Sequence, residues 1–344
     1  MAEKRIDVGV ITHEAGAHVE TYLSALAATQ EVERVWLADP DARWTAAAEK
    51  RLGNKWAGHF RQAPDFLQKT RPHLALVTME AALAPPVIDM ALEAGCHVLA
   101  EKPACVRVEQ FQELAKKAEA KHRHLMLALA NRVFPPVQEA RRLIRAGELG
   151  RLFAVEVFFV ADQTRLKNKS YQQSWLASRQ RAGGGHLIWL GIHWLDMAMY
   201  ITGLKPQRVA GFAVNVGGQP VQIEDSAAMA FQLSGQVCGV MLSGYYLDRG
   251  YQSHLQVWGE QGWLRLAAAE EMPLEWYQVR TGKVQRYEYA KGQRGYLPFI
   301  RAAVRACLGQ EAAPITADES LQVLQTIFAF YRAAETGQAV SMAT

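Results

Sequence analysis

Several polar groups in this sequence stand directly behind short apolar runs, where an open parallel sheet places its ligand contacts. These are Thr12 to His18, Asp39, Met79 to Ala84, Glu101 with Lys102 and Pro103, and Asn131 with Arg132. Asp39 lies 23 residues after Gly16, a spacing at which a carboxylate meets the ribose hydroxyls of NAD and repels the 2′-phosphate of NADP. The other reading of Asp39 is a turn or a cap for the helix opening at Pro40. Thr12, His13 and Gly16 are candidates for holding the cofactor, yet the loop from Thr12 to His18 has one glycine and carries Glu14 where phosphate charge would sit. His13 and His18 could contact phosphate or substrate, or serve as caps or loop side chains. Glu80 could meet a ribose or cap the helix beginning near Pro85.

Further along, His186, Trp189 and His193 fall at offsets of 3, 4 and 7, which a regular α-helix brings to one face. Trp189 offers a flat apolar surface of the kind sugars stack upon; core packing is the alternative. The two histidines stand roughly 10 Å apart along such a helix, too far to share a metal, and no metal site is expected. Before the triple glycine at Gly183 to Gly185 comes a basic segment with Arg165, Lys167, Lys169, Arg179 and Arg181. It suits an acidic sugar or a phosphate, or it is a solvated loop.

The elements that must position these groups are legible as periodicity. Residues 6–11, 35–38, 58–61, 74–78, 97–100 and 125–130 read as strands, alternating with helices from Val19, Pro40, Asp65, Pro85 and Val108. This alternation predicts right-handed crossovers and a doubly wound parallel sheet of about six strands. After residue 130 come a helix over 137–146, a strand over 152–160, a helix over 186–204, turn-linked strands from Gln207 to about Tyr289, and a final helix over 319–334. The fold class expected is α/β, a dinucleotide-type domain over 1–125 followed by an α+β domain over 126–344 with an open, largely antiparallel sheet. The chain has 344 residues, of which 50% are apolar and 21% charged, an ordinary globular composition. A net charge of +4, dispersed along the chain, gives no reason to expect nucleic acid as a partner. Cys96, Cys105, Cys238 and Cys307 form no CxxC pair, and the N-terminus runs straight into a strand; a cytoplasmic protein is expected. The apolar stretch 186–204 carries His186, His193 and Asp196, so it reads as a buried helix and no membrane partner is expected.

Ala91 to Pro103 (ALEAGCHVLAEKP) resembles the most recognisable segment of the glucose-fructose oxidoreductase, inositol dehydrogenase and rhizopine-catabolism family, written Gfo/Idh/MocA. Ala146 to Gly150, Gly183 to Asp196, Glu224 to Ala228 and Tyr331 to Gly337 are similar to further motifs of that family, in its order and over almost the whole chain. The resemblance implies a Rossmann domain, a second domain whose open sheet makes oligomer contacts (a dimer or tetramer), and hydride transfer between NAD(P) and a carbinol carbon of a sugar, polyol or derivative. NAD is favoured over NADP by Asp39. Lys102 would contact the substrate hydroxyl and the nicotinamide end, next to Glu101; its cation favours a developing alkoxide. His193 would take the hydroxyl proton. Arg132 and Trp175 match positions that touch substrate or cofactor, and His186 and Trp189 flank the substrate on the helix. The chain departs from the family pattern at the phosphate loop, at Trp189, where an aspartate is usual, and near Glu80. These departures motivate two alternatives: a lyase or hydrolase-like enzyme acting on a sugar derivative, and a catalytically weak binding protein.

Overall fold

The computed structural model describes residues 4–267, 273–289 and 295–342. The chain divides into two compact units, the first comprising Met1–Ala130, Arg181–Gly183 and Gly295–Leu321, the second Asn131–Gln180, Gly184–Arg294 and Gln322–Thr344.

In the first unit strands β1 (Ile6–Thr12), β2 (Val32–Ala38), β3 (Trp56–Phe60), β4 (Leu74–Thr78), β5 (His97–Ala100) and β6 (Leu125–Leu127) alternate with helices α1 (Val19–Ala28), α2 (Thr45–Leu52), α3 (Ala63–Thr70), α4 (Ala84–Glu93) and α5 (Val108–Ala120). They form a six-stranded sheet in the order β3-β2-β1-β4-β5-β6, with every pairing parallel. This is the doubly wound sheet expected. Its central strands are nearly continuous apolar runs, because helices cover both faces: all of β4 is buried, while the edge strand β3 is half-buried throughout. The last expected strand is shorter than predicted; it stops at Leu127, and a 3-10 turn follows at Ala130–Val133.

The second unit opens with α6 (Pro135–Arg145) and β7 (Leu152–Asp162). Three short helices, α7 (Thr164–Lys167), α8 (Lys169–Gln173) and α9 (Arg179–Ala182), occupy the basic segment. The expected helix over 186–204 is two pieces, a π-helix at Leu187–Gly191 running into α10 (Ile192–Thr202). Then come β8 (Pro206–Val214), β9 (Ser226–Leu233), β10 (Val237–Leu247), β11 (Tyr251–Gly259), β12 (Gly262–Ala267), β13 (Leu274–Gln278) and β14 (Lys283–Tyr287). Helix α11 (Tyr296–Cys307), which the periodicity reading passed over, precedes α12 (Ala317–Thr336) and β15 (Val340–Ser341). The nine-stranded sheet runs β14-β13-β12-β11-β7-β10-β9-β8-β15 and is antiparallel except for the β7–β10 pair. Among the described residues no helix is long and apolar enough to cross a membrane.

Candidate active site

The carboxyl end of β5 delivers Glu101 and Lys102 into the interior of the first unit, where both are 2% exposed. The Glu101 carboxylate accepts from the Lys102 N–H at 3.1 Å, and the Lys102 ammonium lies 3.8 Å from it. Two further groups converge on its other oxygen: His18 Nδ1 at 3.0 Å and the Tyr22 hydroxyl, which donates in a short hydrogen bond. Burial alone would push the Glu101 carboxyl up, but the His18 hydrogen bond, the Lys102 and His18 charges and the Tyr22 hydrogen bond outweigh it and hold it below its ordinary range. Burial, then the Glu101 charge, pushes the Tyr22 phenol well above its ordinary range, so it remains a donor. Removing one member of such a buried ion pair costs about 3–5 kcal/mol, because the other is left uncompensated.

The loop after β1 is built by side chains where a glycine-rich loop uses bare backbone. Thr12 Oγ1 donates to the Thr78 carbonyl at 2.9 Å, and Thr78 Oγ1 donates to the Ala17 carbonyl at 2.5 Å, so the loop is tied to the end of β4. Gly16 is required because a Cβ there would lie 2.0 Å from Thr12 Oγ1. The His13 ring sits between two backbone donors, Ala15 N–H at 3.2 Å and Glu80 N–H at 3.0 Å. A neutral imidazole has one acceptor nitrogen, so only one of these is a hydrogen bond in a given tautomer; burial pushes His13 below its ordinary value. His18, at a left-handed φ of 58°, precedes α1 and turns its ring to Glu101. Glu14 is exposed.

Asp39 follows β2 fully buried; its Oδ2 accepts from the Trp44 N–H at 2.8 Å, and its Oδ1 is buried with no hydrogen-bond partner among the described residues. A buried, unpartnered carboxylate oxygen beyond a strand end is an acceptor awaiting a donor, and the hydroxyls of a cofactor ribose supply donors of that kind. The residues fit a nicotinamide dinucleotide at this point. Glu80 is different: its carboxylate is bound by Nε and Nη2 of Arg181, an ion pair that neither expected role, ribose contact or helix cap, included.

In the second unit the π-turn at Leu187–Gly191 interrupts the 3.6-residue repeat on which the expected common face of His186, Trp189 and His193 rests, and the surroundings of the three differ. His186 is fully buried, with Nδ1 2.6 Å from Ser243 Oγ and its ring edge-on to Tyr245 at 4.6 Å. Burial, with the Arg165 charge adding to it, pushes His186 down to about 3, so it is a neutral core imidazole and not the substrate contact expected. Trp189 is half-buried and meets the buried Trp175 edge-to-face at 5.4 Å. His193 is half-buried. Arg132 also departs from expectation: Nε contacts both Asp196 oxygens at 3.0 Å, Nη2 contacts Oδ1 at 2.6 Å, and the guanidinium lies 4.9 Å from the Tyr200 ring. It is a bidentate, buried brace for α10. Sequence reasoning overlooked Tyr22 and Asp196 in these networks and offered His18 as a phosphate or substrate contact, a cap or a loop side chain, not as a partner of Glu101; the HxxxY spacing at the start of α1 was the available signal.

Residues 5–129 match the family description "Oxidoreductase family, NAD-binding Rossmann fold", and residues 137–265 match "GFO/IDH/MocA C-terminal domain". This chain belongs to the Gfo/Idh/MocA oxidoreductase family. Among the relatives of this Gfo/Idh/MocA chain, the rhizopine catabolism protein MocA of Rhizobium meliloti is 28% identical over 252 residues, 72% of this chain and 74% of that protein. D-glucoside 3-dehydrogenase of Escherichia coli K12 is 25% identical over 274 residues, 74% of each chain. The fold of an oxidoreductase domain protein from Kribbella flavida superposes with a TM-score of 0.89 at 20% identity, covering 99% of this chain and 100% of the other. Family membership makes the chain a dehydrogenase or reductase with an NAD-binding Rossmann domain, and sugar-acting enzymes stand among its relatives.

Proposed function

We propose that this protein is an NAD(H)-dependent oxidoreductase acting on a hydroxyl-bearing carbon of a sugar, polyol or related compound. The observation that carries the reading is the buried Glu101–Lys102 pair at the carboxyl end of β5, set in a chain whose family acts by such chemistry. Asp39 would receive the adenosine ribose hydroxyls on its unpartnered oxygen, which selects NAD over NADP by charge. The loop of Thr12, His13 and Gly16 would face the phosphates. A bound nicotinamide supplies the two-electron acceptor or donor. Lys102, held in place by Glu101, would orient the substrate hydroxyl and favour the alkoxide that develops as its proton departs. His193 would take that proton, and Trp189, braced by Trp175, would present a sugar-stacking surface. Arg132 and His186, held by Asp196 and Ser243, are assigned no contact in this reading.

Two coarser features complete the reading. Phe212, Val240 and Leu242 stand exposed on the outer face of the β8–β9–β10 region, beside a groove of about 620 Å³; we assign this face to self-association, as a dimer or tetramer. The four cysteines are free thiols, as suits a protein of the cytoplasm.

The side-chain-built phosphate loop favours a second reading, a binding protein or a lyase-type enzyme that retains the fold. Calorimetric titration with NAD, NADH, NADP and NADPH separates them. Binding of the non-phosphorylated forms, lost in Asp39→Ala, is expected, and equal binding of NADP would sink the assignment of Asp39. Turnover found in a screen of sugars and polyols should fall at least about a hundredfold in Lys102→Ala and in His193→Ala; survival of activity in both variants would overturn their roles.

A further inference from the structure

The five bases of the segment before the triple glycine have separate fates in the structure. Arg179 is paired with Glu335 and Arg181 with Glu80, while Lys167 and Lys169 are exposed to solvent. Arg165 is half-buried and, among the described residues, has no carboxylate within ion-pair distance. What surrounds it is phenolic. Its guanidinium carbon lies 5.3 Å from the centre of the Tyr245 ring, and its Nη2 donates to the Tyr251 hydroxyl at 3.2 Å. Tyr171, on α8, packs against the same buried cluster as Tyr245 and Leu166.

The sheet register builds this arrangement. Ala161, near the end of β7, is flanked by Tyr245 on β10 and Tyr251 on β11. The small side chain of Ala161 leaves room between two rings, and α7, four residues on, returns Arg165 over them. The carboxylates nearby are committed elsewhere. Asp162 accepts from the Thr164 N–H at 2.6 Å. Glu224 accepts from the Gly185 and Leu187 N–H groups at 2.6 and 3.1 Å and from Tyr331 at 2.8 Å, and burial pushes its carboxyl up toward the neutral form. Behind Tyr245, His186 presents a buried Nε2 with no hydrogen-bond partner among the described residues.

A partly desolvated guanidinium without a counter-ion is costly unless an anion joins it. Its planar fork matches the two oxygens of a carboxylate or phosphate, and phenol hydroxyls complete such a site without adding negative charge. We propose that Arg165, with Tyr171, Tyr245 and Tyr251, forms an oxyanion subsite, so that the substrate is a sugar derivative bearing a carboxylate or phosphate. This substrate class rests on the oxidoreductase reading; the subsite itself does not.

The test is calorimetric titration of the full chain with D-glucuronate, D-galacturonate, D-glucose 6-phosphate and neutral D-glucose, with NADH titrated separately. At least one anionic sugar is expected to bind tenfold or more tightly than D-glucose. Arg165→Leu should remove that preference, Tyr251→Phe should weaken it several-fold, and NADH binding should be unchanged in both. The uronates and the sugar phosphate identify which oxyanion the site takes. Equal binding of charged and neutral sugars, absence of any anion binding, or an anion preference that survives in Arg165→Leu would overturn the subsite even if NADH binds. Arg165-dependent anion binding without NADH binding would keep the subsite and remove the oxidoreductase reading.

Discussion

Glu101 connects the residues that matter most in the first unit: it holds Lys102, orients His18 and accepts from Tyr22. Its carboxyl is held below the ordinary value of 4.5, so its charged form contributes stability above that pH, and the contribution is lost as pH falls through the depressed folded value. Glu101→Gln is therefore expected to destabilise the protein by about 3–5 kcal/mol at pH 7. In urea unfolding, the gap between wild type and variant should narrow on the acid side of 4.5. A gap that widens with acid would contradict the charged pair. Residues of this kind were legible in part. Asp39, Glu101 and Lys102 announced themselves by standing behind apolar runs, whereas the partner of Arg132 lies 64 positions away, and no local pattern indicates that Asp196 spends that guanidinium.

At the scale of elements, the strand and helix alternation of the first unit came directly from periodicity, because each βα unit buries one stripe against the sheet. The close approach of α3 to β1 is less visible: a Cβ at Gly9 would lie 2.1 Å from Phe66 Cζ, so the glycine marks a ring packed on bare backbone. Gly9→Ala should cost about 1–3 kcal/mol by overpacking. Phe66→Leu, destabilising alone, should recover part of that loss in the double variant, as a thermal-unfolding cycle would record; additive losses would exclude the contact. The π-turn at Leu187–Gly191 escaped the sequence reading because offsets of 3, 4 and 7 presume a regular helix. Helix α11 was overlooked although Phe299, Ile300, Ala303 and Val304, all buried, carry the right spacing, and Pro298 falls in the first turn, where a helix tolerates proline.

For the whole molecule, the exposed apolar face of the second unit is the feature on which the proposed self-association rests. Phe212 is 73% exposed and Val240 54%, contiguous with the groove they border, and monomers seldom present such a patch. Replacing Val240 and Leu242 together by Glu and Lys should shift the protein to a smaller species in sedimentation, with its fold retained by circular dichroism. A wild-type monomer at micromolar concentration would remove the assignment.

The sequence by itself determined the sheet order's class, the positions at strand ends and the family, since these follow from local periodicity and from motifs in a set order. Tertiary structure alone decided which of those polar groups are available. Arg132, Arg179 and Arg181 are spent on carboxylates distant in the chain, His186 lies in the core beside Ser243, and Arg165, among the described residues, meets tyrosines and no carboxylate at ion-pair distance. Charge and spacing are properties of the chain, but neutralisation needs a partner at contact distance, and only the folded register supplies one.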